Sequence, residues 1–313
     1  MENYCLSEPR YEAMNYRRCG RSGLLLPEIS LGFWHNFGEA ADPDHCRAIV
    51  ETAFDNGITY FDLANNYGPP AGSAESMFGR IFDQSLRKHR DEIIVATKAG
   101  HDMWPGPYGE WNSRKSLVAS LDQSLKRLRL DYVDIFYSHR PDPDTPLAET
   151  MQALVDIVRS GKALYAGISK YPPEMAARAY TYLRDAHVPC LVYQGRYNLL
   201  DREPEQAILP QCAAEGVGYV AFSPLAQGLL TDRYLDGIPA DSRMRHSPFL
   251  RESDLTPELL AQLRAWNVEA RAEGLSLAQY ALRWILRRPE VTSVIVGASS
   301  VAQLQDSLKA LKR

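Results

Sequence analysis

Eight short apolar runs recur along the chain, at residues 29–33, 58–62, 93–98, 133–139, 163–168, 190–193, 217–222 and 293–296. Runs this short suit strands better than helices, and strands buried on both faces read as continuous apolar stretches. Helical signals stand between them. Asp42-Pro43 caps a helix reaching about Phe54, proline being suited to a first helical turn. Ser113 opens a helix whose Leu117, Leu121, Leu125 and Leu128 share one face. Thr145-Pro146 opens another, carrying Leu147, Met151 and Leu154. Ser299-Ser300-Val-Ala-Gln303 opens the last, with Ser300 and Gln303 at capping-box spacing. Eight strand–helix units in about 250 residues predict a (β/α)8 TIM barrel, an α/β fold whose sites lie at the C-terminal ends of its strands.

Three segments lie outside that count. Residues 15–27 predict a β-hairpin turned by Arg21-Ser22-Gly23, placed to close the barrel floor. Residues 1–14 read as a loose N-terminal arm. Residues 223–275 are too long for a plain connection and are expected to fold over the rim. With no repeat or linker in between, residues 1–313 read as a single barrel domain.

The candidate chemistry sits at the strand ends. Asp62, Lys98 and His139 close three successive runs, and Tyr67 follows Asp62 by five residues in the loop Asn65-Asn66-Tyr67-Gly-Pro-Pro. An acid, a lysine and a histidine on one rim predict an assembled active site. A tyrosine beside them is a candidate proton donor, with a pKa expected to fall from about 10. Arg140 and Arg114 are candidates to meet a substrate phosphate.

Composition narrows the alternatives. A net charge of −4 gives no support to nucleic acid or an anionic membrane as the main partner. No signal-peptide core and no apolar run of about 18 residues occurs, which predicts a soluble cytoplasmic protein. Five widely spaced cysteines without a CxxC argue against disulfides and a structural zinc site. There is no P-loop, HExxH or GxSxG. A GxGxxA pattern at residues 216–221 enters a strand instead of leaving one, the wrong context for a dinucleotide phosphate turn.

Several motifs carry a family resemblance: Phe61-Asp62-Leu-Ala-Asn-Asn-Tyr67-Gly, Thr97-Lys98-Ala-Gly, Tyr137-Ser-His139-Arg, Gly167-Ile-Ser169, Phe222-Ser223-Pro-Leu225 and Ile295-Val-Gly297-Ala-Ser299. In order and spacing the chain resembles the aldo-keto reductases from about Tyr16 onward. Within that family it is similar to the bacterial L-glyceraldehyde 3-phosphate reductases, themselves related to potassium-channel β subunits.

The resemblance implies NADPH-dependent reduction of small aldehydes, with methylglyoxal among the candidates. Tyr67 is then the general acid, Lys98 paired with Asp62 lowers its pKa, and His139 orients the carbonyl. Ser169 and Gln194 would hold the carboxamide, Phe222 the nicotinamide ring and Trp34 its wall. Ser223, Leu225 and Gln227 match the pyrophosphate loop. Arg233, Arg243, Ser299, Gln303 and Ser307 match the adenosine 2′-phosphate and adenine region, and an opening helix there offers free N–H groups to an anion. Trp34, Tyr67, Trp104, Tyr108 and His139 would line the substrate pocket. The resemblance also implies a tetramer or octamer; members of the family usually carry a further helix and tail, whereas this sequence stops at Arg313, near the end of the eighth helix. Two other readings of the rim remain: a Schiff-base lyase using Lys98, and a binding protein that holds NADPH as a sensor.

Overall fold

The computed structural model describes residues 9–239 and 250–312. The chain begins with a hairpin of β1 (Tyr16–Arg18) and β2 (Leu25–Pro27). Then β3 (Ile29–Gly32), α1 (Pro43–Asp55), β4 (Tyr60–Asp62), α2 (Ser73–Ile81), β5 (Ile94–Ala99), α3 (Arg114–Leu128) and β6 (Val133–Ser138) alternate. They continue as α4 (Leu147–Arg159), β7 (Ala163–Ser169), α5 (Pro173–Asp185), β8 (Val192–Arg196), α6 (Ile208–Glu215) and β9 (Gly218–Phe222). The long segment holds α7 (Pro257–Ala272), and α8 (Leu277–Leu286), β10 (Val291–Val296) and α9 (Val301–Leu308) follow. Strands β3 to β10 pair in parallel in chain order, and β10 closes on β3. The closed barrel ringed by helices is the (β/α)8 architecture.

Every apolar run falls on a barrel strand. The sixth is displaced: Cys190 and Leu191 lead in, and pairing runs through Val192–Arg196. Hydrogen bonding to β7 and β9 carries that strand past its apolar stretch. Two of the caps form as the sequence suggests. The Asp42 carboxylate accepts from the N–H groups of Asp44 and His45, and Ser113 Oγ from that of Ser116.

Alternation along the strands makes two cores. Phe61, Phe136 and Val95 point outward, into the layer shared with Phe54, Phe78, Leu117 and Leu154 of the helices. Tyr60, Ala96, Ile135, Tyr137, Val192, Val220 and Ile295 point into the barrel, and Cys19 and Leu26 of the hairpin close that core from below. The plug is anchored by Arg17, whose guanidinium donates to the carbonyls of Leu286 (2.6 Å) and Val291 (2.9 Å). The GxGxxA glycines serve the same contact. Gly216 caps α6 in the left-handed region, and a side chain on Gly218 would sit 2.4 Å from Cys19 Sγ.

The N-terminal arm is not loose over the part described. Arg10 and Met14 are buried, and the Arg10 guanidinium lies 4.6 Å from the Phe54 ring. The long segment packs α7 and its preceding turns through Leu230, Leu235, Leu263 and Leu275 against Leu199 and Tyr280, a satellite core beside the barrel. Among the described residues no helix is long and apolar enough to cross a membrane.

Candidate active site

Strand alternation also aims the functional side chains. Asp62 shares an inward face with Tyr60, Lys98 with Ala96, and His139 with Ile135 and Tyr137. These chains meet at the C-terminal mouth, where a cavity of about 600 Å3 opens. Lys98 Nζ donates to Asp62 Oδ2 at 2.6 Å and to the Leu63 carbonyl at 2.7 Å. Asp62 Oδ1 accepts from Gln194 Nε2 at 2.8 Å and from the Tyr60 hydroxyl at 3.2 Å. The Tyr60 and Tyr137 hydroxyls lie 2.9 Å apart, so a polar network runs down into the barrel. Tyr67 stands over this pair, with Lys98 Nζ 5.1 Å from its ring centroid. Its ring meets that of His139 edge-on at 5.8 Å, and His139 meets His101 at 4.5 Å. The four residues singled out at the strand ends are thus brought together.

The electrostatics correct one expectation. Burial, and after it the Asp62 carboxylate, hold the Tyr67 hydroxyl well above the ordinary 10.0. The lysine's charge is directed at Asp62, which it touches, and does not reverse that balance. The Tyr67 hydroxyl therefore stays protonated at pH 7. Burial lowers the pKa of Lys98, against the pull of Asp62 and then of Glu75. Glu75 lies behind Lys98, fully buried, bound to Thr97 and Arg127. Burial pushes His139 well below 6.5, reinforced by Lys98 and Lys170, and pushes His101 down to about 4. Both imidazoles are neutral at pH 7. His139 Nδ1 is buried and has no hydrogen-bond partner among the described residues.

The cavity extends past these residues. Trp34, Gln194, Phe222, Ser223, Leu225, Gln227, Arg233, Ser299 and Gln303 all line it, as the resemblance implied. Asn66, on the lining, has a buried Oδ1 without a partner among the described residues, and so has Ser169 at its Oγ, though Ser169 is not itself on the lining. Ser223, Ala226 and Gln227 all have positive φ, at 53°, 45° and 63°. Such strain costs about 1–3 kcal/mol per residue and is kept where a loop must present its backbone to a ligand. A nicotinamide dinucleotide fits this arrangement. Gln303 Oε1 accepts from the Ser299 N–H at 2.7 Å and not from that of Ser300, so the expected reciprocal capping box is shifted by one residue. Ser300 still caps α9 by accepting from the Gln303 N–H.

Of the other candidates, some lie away from the cavity and one falls outside the described residues. Trp104 and Tyr108 do not line the cavity, because their loop closes on itself through Met103 N–H to the Gly109 carbonyl and leaves Tyr108 about half exposed. Ser307 is buried, its hydroxyl donating to the Gln303 carbonyl of its own helix. Arg243 lies outside the described residues. Arg140 is engaged by the Gly100 carbonyl, Glu110 and the Trp111 ring, and Arg114 by Asp156. Each is already paired with an acid. Gln194, expected at the carboxamide, lines the cavity and also donates through Nε2 to Asp62. The sequence reading missed His101, Lys170 and Arg196 on the lining, and Tyr60 and Tyr137 beneath it. Tyr60 and Tyr137 were detectable from parity, each two residues before a residue already chosen. Arg196 is likewise two residues past Gln194.

Comparison with known proteins agrees with this geometry. The family model described as the aldo/keto reductase family matches residues 28–313. The L-glyceraldehyde 3-phosphate reductase of Escherichia coli strain K12 is 54% identical over 308 residues, covering 96% of this chain and 89% of that one. A probable voltage-gated potassium channel subunit beta of Oryza sativa subsp. japonica is 36% identical over 305 residues, covering 95% of this chain and 91% of that one. Its counterpart from Arabidopsis thaliana is 35% identical with the same coverage. With a closed barrel and a strand-end site in the same order, the chain belongs to the aldo/keto reductase family.

Proposed function

We propose that this protein reduces small aldehydes to primary alcohols with NADPH, L-glyceraldehyde 3-phosphate and methylglyoxal being the substrates to test first. The observation that carries this reading is the convergence of Tyr67, His139 and the Lys98–Asp62 pair at one end of a cavity whose other end is built from Ser223–Arg233, Ser299 and Gln303. When bound, the reduced nicotinamide supplies the hydride to the carbonyl carbon. Tyr67 gives its hydroxyl proton to the carbonyl oxygen. Neutral His139 donates a hydrogen bond to that same oxygen and so orients it. Lys98 presents positive charge to the phenolate left on Tyr67, which then recovers a proton from solvent. Trp34 walls the site on the β3 side. Arg233, with Ser299 and Gln303, supports a preference for the 2′-phosphate of NADP over NAD.

Lys98 is poorly placed for the rival Schiff-base chemistry. It donates to a carboxylate and a carbonyl at once, which suits an ammonium without a free lone pair. The test is absorbance at 340 nm with catalytic amounts of protein, NADPH and a panel of aldehydes. Many turnovers per protein are expected. Oxidation that stops at one NADPH per chain would replace the enzyme with a cofactor-holding sensor.

A further inference from the structure

The cavity carries cations that reduction of an uncharged aldehyde does not use. Lys170 follows β7 and Arg196 ends β8, the neighbouring strand, just beyond Ser169 and Gln194. Both line the cavity beside His101 and His139. Lys170 acts electrostatically on both histidines, and its own pKa is pushed down to about 8 by the protein around the cleft, then by Lys98, Arg140 and Arg196. It lies within the mouth of the cleft and remains open to solvent there.

The chain holds Lys170 there at some cost. Its φ is +62°, a left-handed conformation that a side-chain-bearing residue keeps only where its surroundings impose it. Its N–H donates to the Gln194 carbonyl, and its ammonium lies 5.6 Å from the Phe222 ring centroid. None of the ion pairs among the described residues involves Lys170. Arg196 faces Asp201 at 3.9 Å, the outer limit of an ion pair, and Asp201 is also held by Asn198. Asp62 is the sole acid among the described residues lining the cavity, and Lys98 neutralises it. A protein of net charge −4 has thus built a cationic cleft, which concentrates anions at its mouth.

We propose that Lys170 and Arg196 form an anion subsite that takes the phosphate of a short phosphorylated aldehyde whose carbonyl lies between Tyr67 and His139. The inference rests on the reductase reading above. Two cations on adjacent strand ends can each engage a separate oxygen of a phosphate monoester, and a guanidinium can take two. In the proposed reading the cofactor's own phosphates lie elsewhere, against the residues that follow β9 and β10. Arg140 and Arg114, the candidates suggested by the sequence, are already committed.

The experiment compares kcat/KM for glyceraldehyde 3-phosphate with that for glyceraldehyde, which presents the same carbonyl without the charge. Wild type, Lys170→Gln, Arg196→Gln, the double variant and Lys170→Arg are measured. A charge-assisted contact is worth roughly ten- to a hundredfold. The charged-to-uncharged ratio should therefore fall at least about tenfold in the double variant and be retained by Lys170→Arg. Taking a ratio cancels any general loss of folding or of cofactor. In parallel, binding of glycerol 3-phosphate, which has no carbonyl, is followed by calorimetry with and without NADPH and should weaken by a similar factor. An unchanged ratio, or a loss confined to the KM for NADPH, overturns the subsite. If wild type reduces neither aldehyde, the reductase reading fails. The glycerol 3-phosphate titration still decides the subsite.

Discussion

Replacing Lys98 with methionine separates the charge from the stem. Lys98 and Asp62 are buried side chains, 0% and 3% exposed, and their contact is 2.6 Å. Methionine fills most of the lysine's volume, so loss of packing contributes little, below about 1.5 kcal/mol. What changes is the Asp62 carboxylate, left with only Gln194 and Tyr60 as donors. Removing one partner of a buried pair costs about 3–5 kcal/mol, against a total stability of about 5–15 kcal/mol.

The loss must depend on pH. An unpaired buried carboxylate has a folded pKa above its unfolded value of about 3.9. Between those two values the folded state binds more protons, so stability falls as pH rises through the interval. The Lys98→Met deficit should therefore be small near pH 4 and fully developed by pH 8. Urea midpoints at pH 5 and pH 8 measure it, for wild type, Lys98→Met and the double variant Asp62→Asn with Lys98→Met. The double variant should recover most of the stability and none of the activity, because no buried charge remains to be satisfied. A deficit below about 1 kcal/mol at pH 8, or one equal at both pH values, would refute this account of the pair.

Three further outcomes follow from the same geometry. Tyr67→Phe should slow reduction by roughly 10²–10⁴-fold with NADPH affinity retained; wild-type turnover in single-turnover and steady-state assays would remove Tyr67 as the acid. His101 has its folded pKa down at about 4, so as pH falls from about 6.5 the unfolded chain takes up a proton that the folded one refuses, and stability drops until about pH 4. His101→Gln should lessen that drop in urea midpoints between pH 7 and 5, and an identical drop would mean that His101 does not resist protonation. Arg233→Ala should weaken NADPH roughly tenfold or more and leave NADH nearly unchanged, read by tryptophan fluorescence with Trp34 in the cavity wall; equal losses for both cofactors would take Arg233 away from the 2′-phosphate.

Much of this was legible along the chain. Strands buried on both faces must be continuously apolar, so eight such runs announced eight strands. Asp62, Lys98 and His139 stood out because a charged or titratable residue ending a buried run needs a reason. The period of two even contained Tyr60 and Tyr137, which share a face with Asp62 and His139. Gly167 follows the same rule, since a side chain there would meet the Tyr137 ring at 2.6 Å.

Local pattern determined which residues would be strand, helix cap or inward-facing, because those choices depend on neighbours a few positions away. It could not say where long side chains end. Arg140 and Arg114 looked free in sequence and are held by Glu110, Trp111 and Asp156, partners up to 42 residues away. Trp104 and Tyr108 looked like pocket walls until their loop folded on itself. Whether Lys98 lowers the pKa of Tyr67 depends on burial by the whole barrel, and burial raises it. Barrel closure, by pairing β10 with β3, is what brings Ser299 and Gln303 round to the mouth that Trp34 lines, because a ring makes neighbours of residues that a linear chain keeps far apart.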